Sequence, residues 1–215
     1  MELIAHRAGN LPGLVTPALA VADAIELDLH LFRGRLEVRH AKVLFWPFAR
    51  LWEKWELLPR TTPRPALAVI VGVVPDDARL WLDLKGFTTR LPRAVHDVVG
   101  DRPGTTYSSR HWWTLRWVRR HTSARTMRSV GNRWQRGLVV RLGPVVAPHG
   151  VVIHERLLDP AWARQLRRVA PTLIAWGVGD RERAEELLAV GVDGLILDDV
   201  DLIRVLRSSV DEKSG

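Results

Sequence analysis

Cysteine is absent from this 215-residue chain. That removes disulfide frameworks, thiolate metal sites and cysteine nucleophiles. Long apolar runs are absent as well, since no stretch approaches the roughly 18 residues that mark a membrane span. The opening MELIAHRAGN has no basic segment followed by an apolar one, so a cytoplasmic soluble protein is expected. Acidic residues are missing from one whole stretch. None lies between Asp101 and Glu155, while ten arginines run from Arg102 to Arg141. That stretch more than accounts for the formal net charge of +8, and the remainder is slightly acidic. A local basic face implies an anionic partner: phospholipid headgroups, nucleic acid or an anionic substrate. A solvated arginine-rich surface is the alternative.

What is present reads as one globular domain over 1–215, with 47% hydrophobic residues and no internal repeat or low-complexity linker. Strand-like runs fall at Leu3–His6, Ala24–Leu31, Arg79–Lys85, Thr105–Ser108, Arg125–Val130, Gly150–His154, Thr172–Val178 and Gly194–Asp198. Several are apolar on both faces, as buried parallel strands should be. Helical segments between them include Pro65–Val74, Ser109–His121, Pro160–Val169 and Arg181–Val190. Eight strands alternating with helices predict a compact (β/α)8 TIM barrel, with an open doubly wound sheet as the alternative. One segment breaks the alternation. In Leu44–Arg60, residues Phe48, Leu51, Trp52, Trp55 and Leu58 recur at helical spacing behind Pro47, which predicts an inserted amphipathic helix after the second strand.

Glu26 and Asp28 lie two apart on a strand, so both carboxylates point to one side. Like charges that close need a cation or a shared proton, and hard oxygen ligands suit Mg2+ or Ca2+. Ion pairing to arginines would serve equally. His6 and Arg7 end the first strand, His40 follows the second, and Asp83 and Lys85 form another i, i+2 pair ending the third. In a parallel barrel all these strand ends share the face where active sites lie.

The order IAHRAGN, then IELDLHLFRGRLEVRH, then LWLDLKG resembles the glycerophosphodiester phosphodiesterase family. TTYSSRHWWTLRWVRR and LIAWGVGDRERAEELLAVGVDGLILDD continue the likeness in order along nearly the whole chain. The resemblance implies a metal-dependent phosphoric diester hydrolase acting on small phospholipid-derived diesters. It implies one divalent cation held by Glu26, Asp28 and Asp83, with His6 and His40 as the acid–base pair. Arg7 and Lys85 would hold phosphate oxygens and Trp176 would wall the pocket. The chain departs from the family pattern at Ala8, where glycine is usual, and at Ala41, where an aspartate follows the second histidine. It also departs at Asp83, where glutamate is usual, and in NLPGLVTP, where no Pro-Glu-Asn-Thr segment appears. A sphingomyelinase-D-like phospholipase is one alternative reading. A catalytically weakened barrel that binds anionic membrane or a protein partner is another.

Helix Ser109–His121 carries Leu115 and Val118 on one stripe and Trp113 and Trp117 on another, with Arg116, Arg119 and Arg120 largely between. The tryptophan stripe is expected to face outward, where it suits peripheral contact with an anionic membrane or a homodimer interface. No nucleic-acid-reading motif accompanies the basic charge.

Overall fold

Period-two alternation along the strands sets the layout of the computed structural model, which describes residues 1–44, 50–53, 56–59, 61–147 and 149–214. The strands are β1 (Glu2–Ala5), β2 (Ala24–Phe32), β3 (Arg35–Val38), β4 (Lys42–Leu44), β5 (Arg50–Glu53) and β6 (Glu56–Leu57). They continue with β7 (Arg79–Leu84), β8 (Thr106–Ser109), β9 (Arg125–Val130), β10 (Val151–His154), β11 (Leu173–Val178) and β12 (Gly194–Leu197). Eight of them pair in parallel in the order β1-β12-β11-β10-β9-β8-β7-β2, and β1 pairs with β2 to close the ring. That last pairing, Ile4 with Ala24 and Ala5 with Ile25, is what an open sheet would lack. The fold is therefore the predicted TIM barrel, and each predicted strand lies within one residue of its observed bounds.

Inward-pointing Ile4, Ala24, Trp81, Met127, Val152, Ile174 and Ile196 plug the barrel, and none is more than 4% exposed. The outward-pointing partners, such as Leu3, Ile25, Leu80, Leu82 and Leu195, form a second core against the surrounding helices. Those helices are α1 (Pro12–Leu19), α2 (Leu67–Val71), α3 (Arg90–Val99), α4 (Trp112–His121), α5 (Arg133–Leu142), α6 (Pro160–Arg167), α7 (Arg181–Ala189) and α8 (Val200–Ser214). Asn132, Asp159 and Asp180 cap α5, α6 and α7, each side chain accepting a backbone N–H of the first turn. In α4, Leu115 and Val118 are buried against the barrel as expected, and Trp113 faces out. Trp117 does not. It stacks on His121 at 4.4 Å and meets His96 of α3 edge-on, because it lies towards the α3–α4 seam rather than on the free face.

The inserted amphipathic helix is a correction. Where Leu44–Arg60 is described it is extended: β4 and β6 flank β5 in a three-stranded antiparallel sheet, pairing Val43 with Leu51 and Trp52 with Leu57. Phe48 and Trp55 lie outside the described residues. The same apolar residues that fit a helical stripe also fit alternation, because Leu51 is buried while its neighbour Trp52 is only half-buried. Over a short aromatic-rich run the two periods cannot be told apart, and aromatic residues favour strands.

Candidate active site

The alternation that plugs the barrel also builds the site. One step beyond each plug residue the same face presents His6 after Ile4, Glu26 and then Asp28 after Ala24, and Asp83 after Trp81. Ser129 follows Met127, Trp176 follows Ile174 and Asp198 follows Ile196. Six of the predicted residues, His6, Arg7, Glu26, His40, Asp83 and Lys85, line one cavity of about 80 Å³ with Trp176 on its wall and Trp81 at its floor. Asp28 stands beneath it, fully buried, with Lys85 Nζ 2.7 Å from its Oδ1.

Arg7 is bent into the left-handed region, with φ 54° and ψ 11°. A non-glycine residue held there stores on the order of 1–3 kcal/mol of strain. The bend turns its backbone N–H onto Glu26 Oε2 at 2.8 Å and leaves the guanidinium over the cavity. Gly9 follows two places later because the chain passes against Leu27, where a Cβ would come within 2.3 Å of the leucine Cγ. The glycine usual after His-Arg is thus one position later in this chain, and close approach is its reason. Asn10 then locks the loop to β2. Its Nδ2 donates to Asp28 Oδ2 and its Oδ1 accepts from the Asp28 backbone N–H, both at 2.9 Å.

Each candidate histidine has a carboxylate against Nδ1. His6 Nδ1 is 2.6 Å from Asp198 Oδ1, and His40 Nδ1 is 2.6 Å from Glu53 Oε1. Glu53 Oε1 also accepts from Arg7 Nη1 at 3.2 Å. Asp83 Oδ1 accepts from Ser108 Oγ at 2.8 Å, and that hydroxyl accepts from Trp81 Nε1 at 3.0 Å, so the carboxylate is fixed from behind. Asp83 Oδ2 also receives the Lys85 ammonium.

Burial pushes the Glu26 carboxyl up, and the Asp28 charge beside it adds to the shift. Burial would push Asp28 up too, but the charge and hydrogen bond of Lys85, with His40 and Asn10, hold it well below the usual range. Lys85 stays charged, because Asp83, Asp28 and Glu26 outweigh the burial that would lower it. His6 is lowered by burial yet ends raised, through Asp198 and Glu26. His40 ends lowered, chiefly by burial.

Glu26, Asp28 and Asp83 each offer a carboxylate oxygen, all within 4.8 Å of one another. Three hard oxygen donors so close suit Mg2+ or Ca2+. Glu26, pushed up by burial and by the Asp28 charge, is a carboxylate that a neighbouring divalent cation would hold ionised. The donor set therefore fits such an ion. His30, which continues the parity of Glu26 and Asp28, stands outside this cluster and lines an adjoining larger cavity. Burial, aided by Arg39, lowers it to about 3.

Four contributors escaped the sequence reading: Asp198, Glu53, Asn10 and Arg110. Asp198 was within reach, since it ends the predicted strand Gly194–Asp198 in the parity of Ile196. Glu53 was hidden by the helical reading of its segment. Asn10 ends a single 3-10 turn (Ala8–Asn10) and Arg110 lies in the bend after β8, where no period assigns a face. At the end of β8, Ser108 reaches the mouth, while Tyr107 is buried in the helix layer away from it.

No family model matches the sequence, and no curated protein matches it. Solved structures do. A glycerophosphodiester phosphodiesterase from Thermotoga maritima is 19% identical with a TM-score of 0.73, over 96% of this chain and 98% of that one. A phosphodiesterase from Oleispira antarctica, in complex with the product sn-glycerol-3-phosphate, is 18% identical with a TM-score of 0.71, over 98% and 97%. A glycerophosphodiester phosphodiesterase from Parabacteroides distasonis is 18% identical with a TM-score of 0.73, over 98% of each chain. This chain has the barrel fold of those enzymes from end to end.

Proposed function

We propose that this protein is a phosphoric diester hydrolase that cleaves glycerophosphodiesters with one divalent cation, Mg2+ or Ca2+, and a His6/His40 acid–base pair. One observation carries the reading. Two imidazoles, each with a carboxylate 2.6 Å from Nδ1, border the same small cavity as an arginine, a lysine and two carboxylates of a three-membered cluster whose third, Asp28, lies beneath. The shared fold and the glycerol phosphate bound by the Oleispira antarctica enzyme support the substrate class.

A carboxylate at Nδ1 fixes the ring and its tautomer, so Nε2 is the nitrogen left to move a proton. One histidine takes the proton of the attacking oxygen, from water or a neighbouring glycerol hydroxyl, as that oxygen bonds to phosphorus. The other gives its proton to the alkoxide released when the opposite P–O bond breaks. A cation held by Glu26, Asp28 and Asp83 would supply Lewis-acid neutralisation of the non-bridging oxygens. Arg7 and Lys85 add fixed positive charge there, and Trp176 walls the pocket and keeps water from one side. Glycerophosphoglycerol hydrolysis should appear with Mg2+ or Ca2+, vanish with chelator, and be lost in His6→Ala and His40→Ala. A purified chain that turns over no such diester with any divalent cation contradicts the reading.

Peripheral contact with an anionic membrane from a cytoplasmic position is a second part of the proposal. Trp113 and Trp134 are 42% and 73% exposed among the arginines of α4 and α5, and no helix of the described residues is long and apolar enough to cross a membrane. Tryptophan with arginine suits the headgroup layer. Co-sedimentation with anionic vesicles at low salt checks it, and absence of binding removes it. A homodimer through the same face would instead appear as doubled mass in light scattering.

A further inference from the structure

Two cavities meet at His40, Asp83, Lys85 and Arg110. The smaller, of about 80 Å³, has room for little more than the phosphoryl group. The larger, of about 430 Å³, opens beside it between the three-stranded insert and the β8–α4 turn. A diester bound at the carboxylate cluster must send one of its two alcohol arms into that space.

The charges on its walls are unequal in their commitments. Glu53 is already bridged to His40 and Arg7, and Asp83 to Lys85 and Ser108. Lys42 and Arg110 have no carboxylate within ion-pair distance among the described residues, and both line the cavity from exposed positions. Arg110 lines both cavities, so it reaches the junction itself. His30 presents a buried Nε2 with no hydrogen-bond partner on the same wall. A quaternary ammonium arm would need several aromatic faces or a spare carboxylate; among the described residues this wall has one indole, Trp52, and neither of its carboxylates is spare. What remains uncompensated among the described lining residues is positive.

We propose that the larger cavity is a subsite for a phosphomonoester carried on one alcohol arm of the diester, bound by Lys42 and Arg110. The inference rests on the hydrolytic reading above and adds to it a substrate class: diesters whose arm is itself phosphorylated. An arginine fork and a lysine are the side chains that recognise such a group.

The test compares glycerophosphoinositol with glycerophosphoinositol 4-phosphate on the full chain loaded with Mg2+ or Ca2+. The two differ by one phosphomonoester. The phosphorylated diester is expected to be favoured about tenfold in kcat/KM at low ionic strength, with the ratio falling as salt rises. Lys42→Glu and Arg110→Gln, both at exposed positions, should bring the ratio close to one, with melting curves confirming that each variant is folded. Equal kcat/KM for the two diesters overturns the proposal. So does a ratio unchanged in both variants, or a preference for glycerophosphocholine. Calorimetry with inositol 4-phosphate against inositol separates this proposal from the hydrolytic one. If no diester is cleaved but wild type binds the phosphate-bearing alcohol preferentially and the variants do not, the hydrolytic reading fails and the subsite stands. No preference in binding sinks the subsite whatever the turnover.

Discussion

His6 is held by the barrel, whereas His40 is held by the three-stranded insert. The His6 backbone N–H donates to Leu197 O at 2.8 Å, and its ring meets Asp198 one residue further on, so both partners ride on neighbouring parallel strands. His40 follows β3, and its ring meets Glu53 at the end of β5, outside the closed sheet. The first arrangement is fixed by sheet register. The second depends on a small antiparallel sheet docking correctly. The chain has Ala41 where the family it resembles has an aspartate, and Glu53 brings a carboxylate to the same histidine from a different element. One side of the mouth is thus built by the barrel strands, and the other by the insert.

The largest expected effect would leave the two sides equal. His6→Ala and His40→Ala should each lower kcat about 10²–10⁴-fold, measured as glycerol 3-phosphate release. A much smaller loss for His40 would break the pairing and leave the barrel side acting alone. Stability should separate the regions next. Trp81→Ala empties the barrel plug and should cost about 3–5 kcal/mol by denaturant unfolding. Leu51→Ala, buried in the insert but outside both core clusters, should cost less than ~2 kcal/mol, the low end for such truncations.

The orienting carboxylates sharpen the comparison. Asp198→Asn and Glu53→Gln should each lower kcat about 10–100-fold, the range typical of such supporting partners. Only Glu53→Gln should also raise KM, because Arg7 loses its ion pair with it. Glu53→Asp should recover part of the loss. Equal KM effects would mean that the insert does no more than the barrel strand.

The smallest expected effect is a pH-dependent stabilisation by the cation. Glu26 has a folded-state proton affinity raised from 4.5 to about 8, so without metal the folded state loses stability as pH rises through that window. A divalent cation competes with that proton. The melting temperature should therefore rise by several degrees on adding Ca2+ near pH 8, and by less near pH 5.5. Glu26→Gln should abolish the difference.

The sequence was legible wherever alternation had a closed barrel to feed. Ile4-Ala5-His6 and Trp81-Leu82-Asp83-Leu84-Lys85 show inward plug, outward core and inward chemistry in turn, so fold and site residues emerged together. Leu51-Trp52-Glu53 was not legible, because a short aromatic run satisfies both periods and only its partner strands decide. Arg7 was read as a site residue, but the left-handed bend that seats it and the 3-10 turn that carries Asn10 are backbone features that no side-chain pattern announces. Helix α1, PGLVTPAL, carries Pro17 inside its span, and its sequence argues against the helix that tertiary packing of Val15 and Ala18 enforces.

The central claim is that three carboxylates from two adjacent barrel strands hold one cation between His6 and His40. Anomalous diffraction from a crystal soaked in Mn2+ tests it most directly. The account predicts one peak about 2.0–2.6 Å from oxygens of Glu26, Asp28 and Asp83. A barrel mouth without a peak, or a peak elsewhere with these carboxylates turned apart, would contradict it.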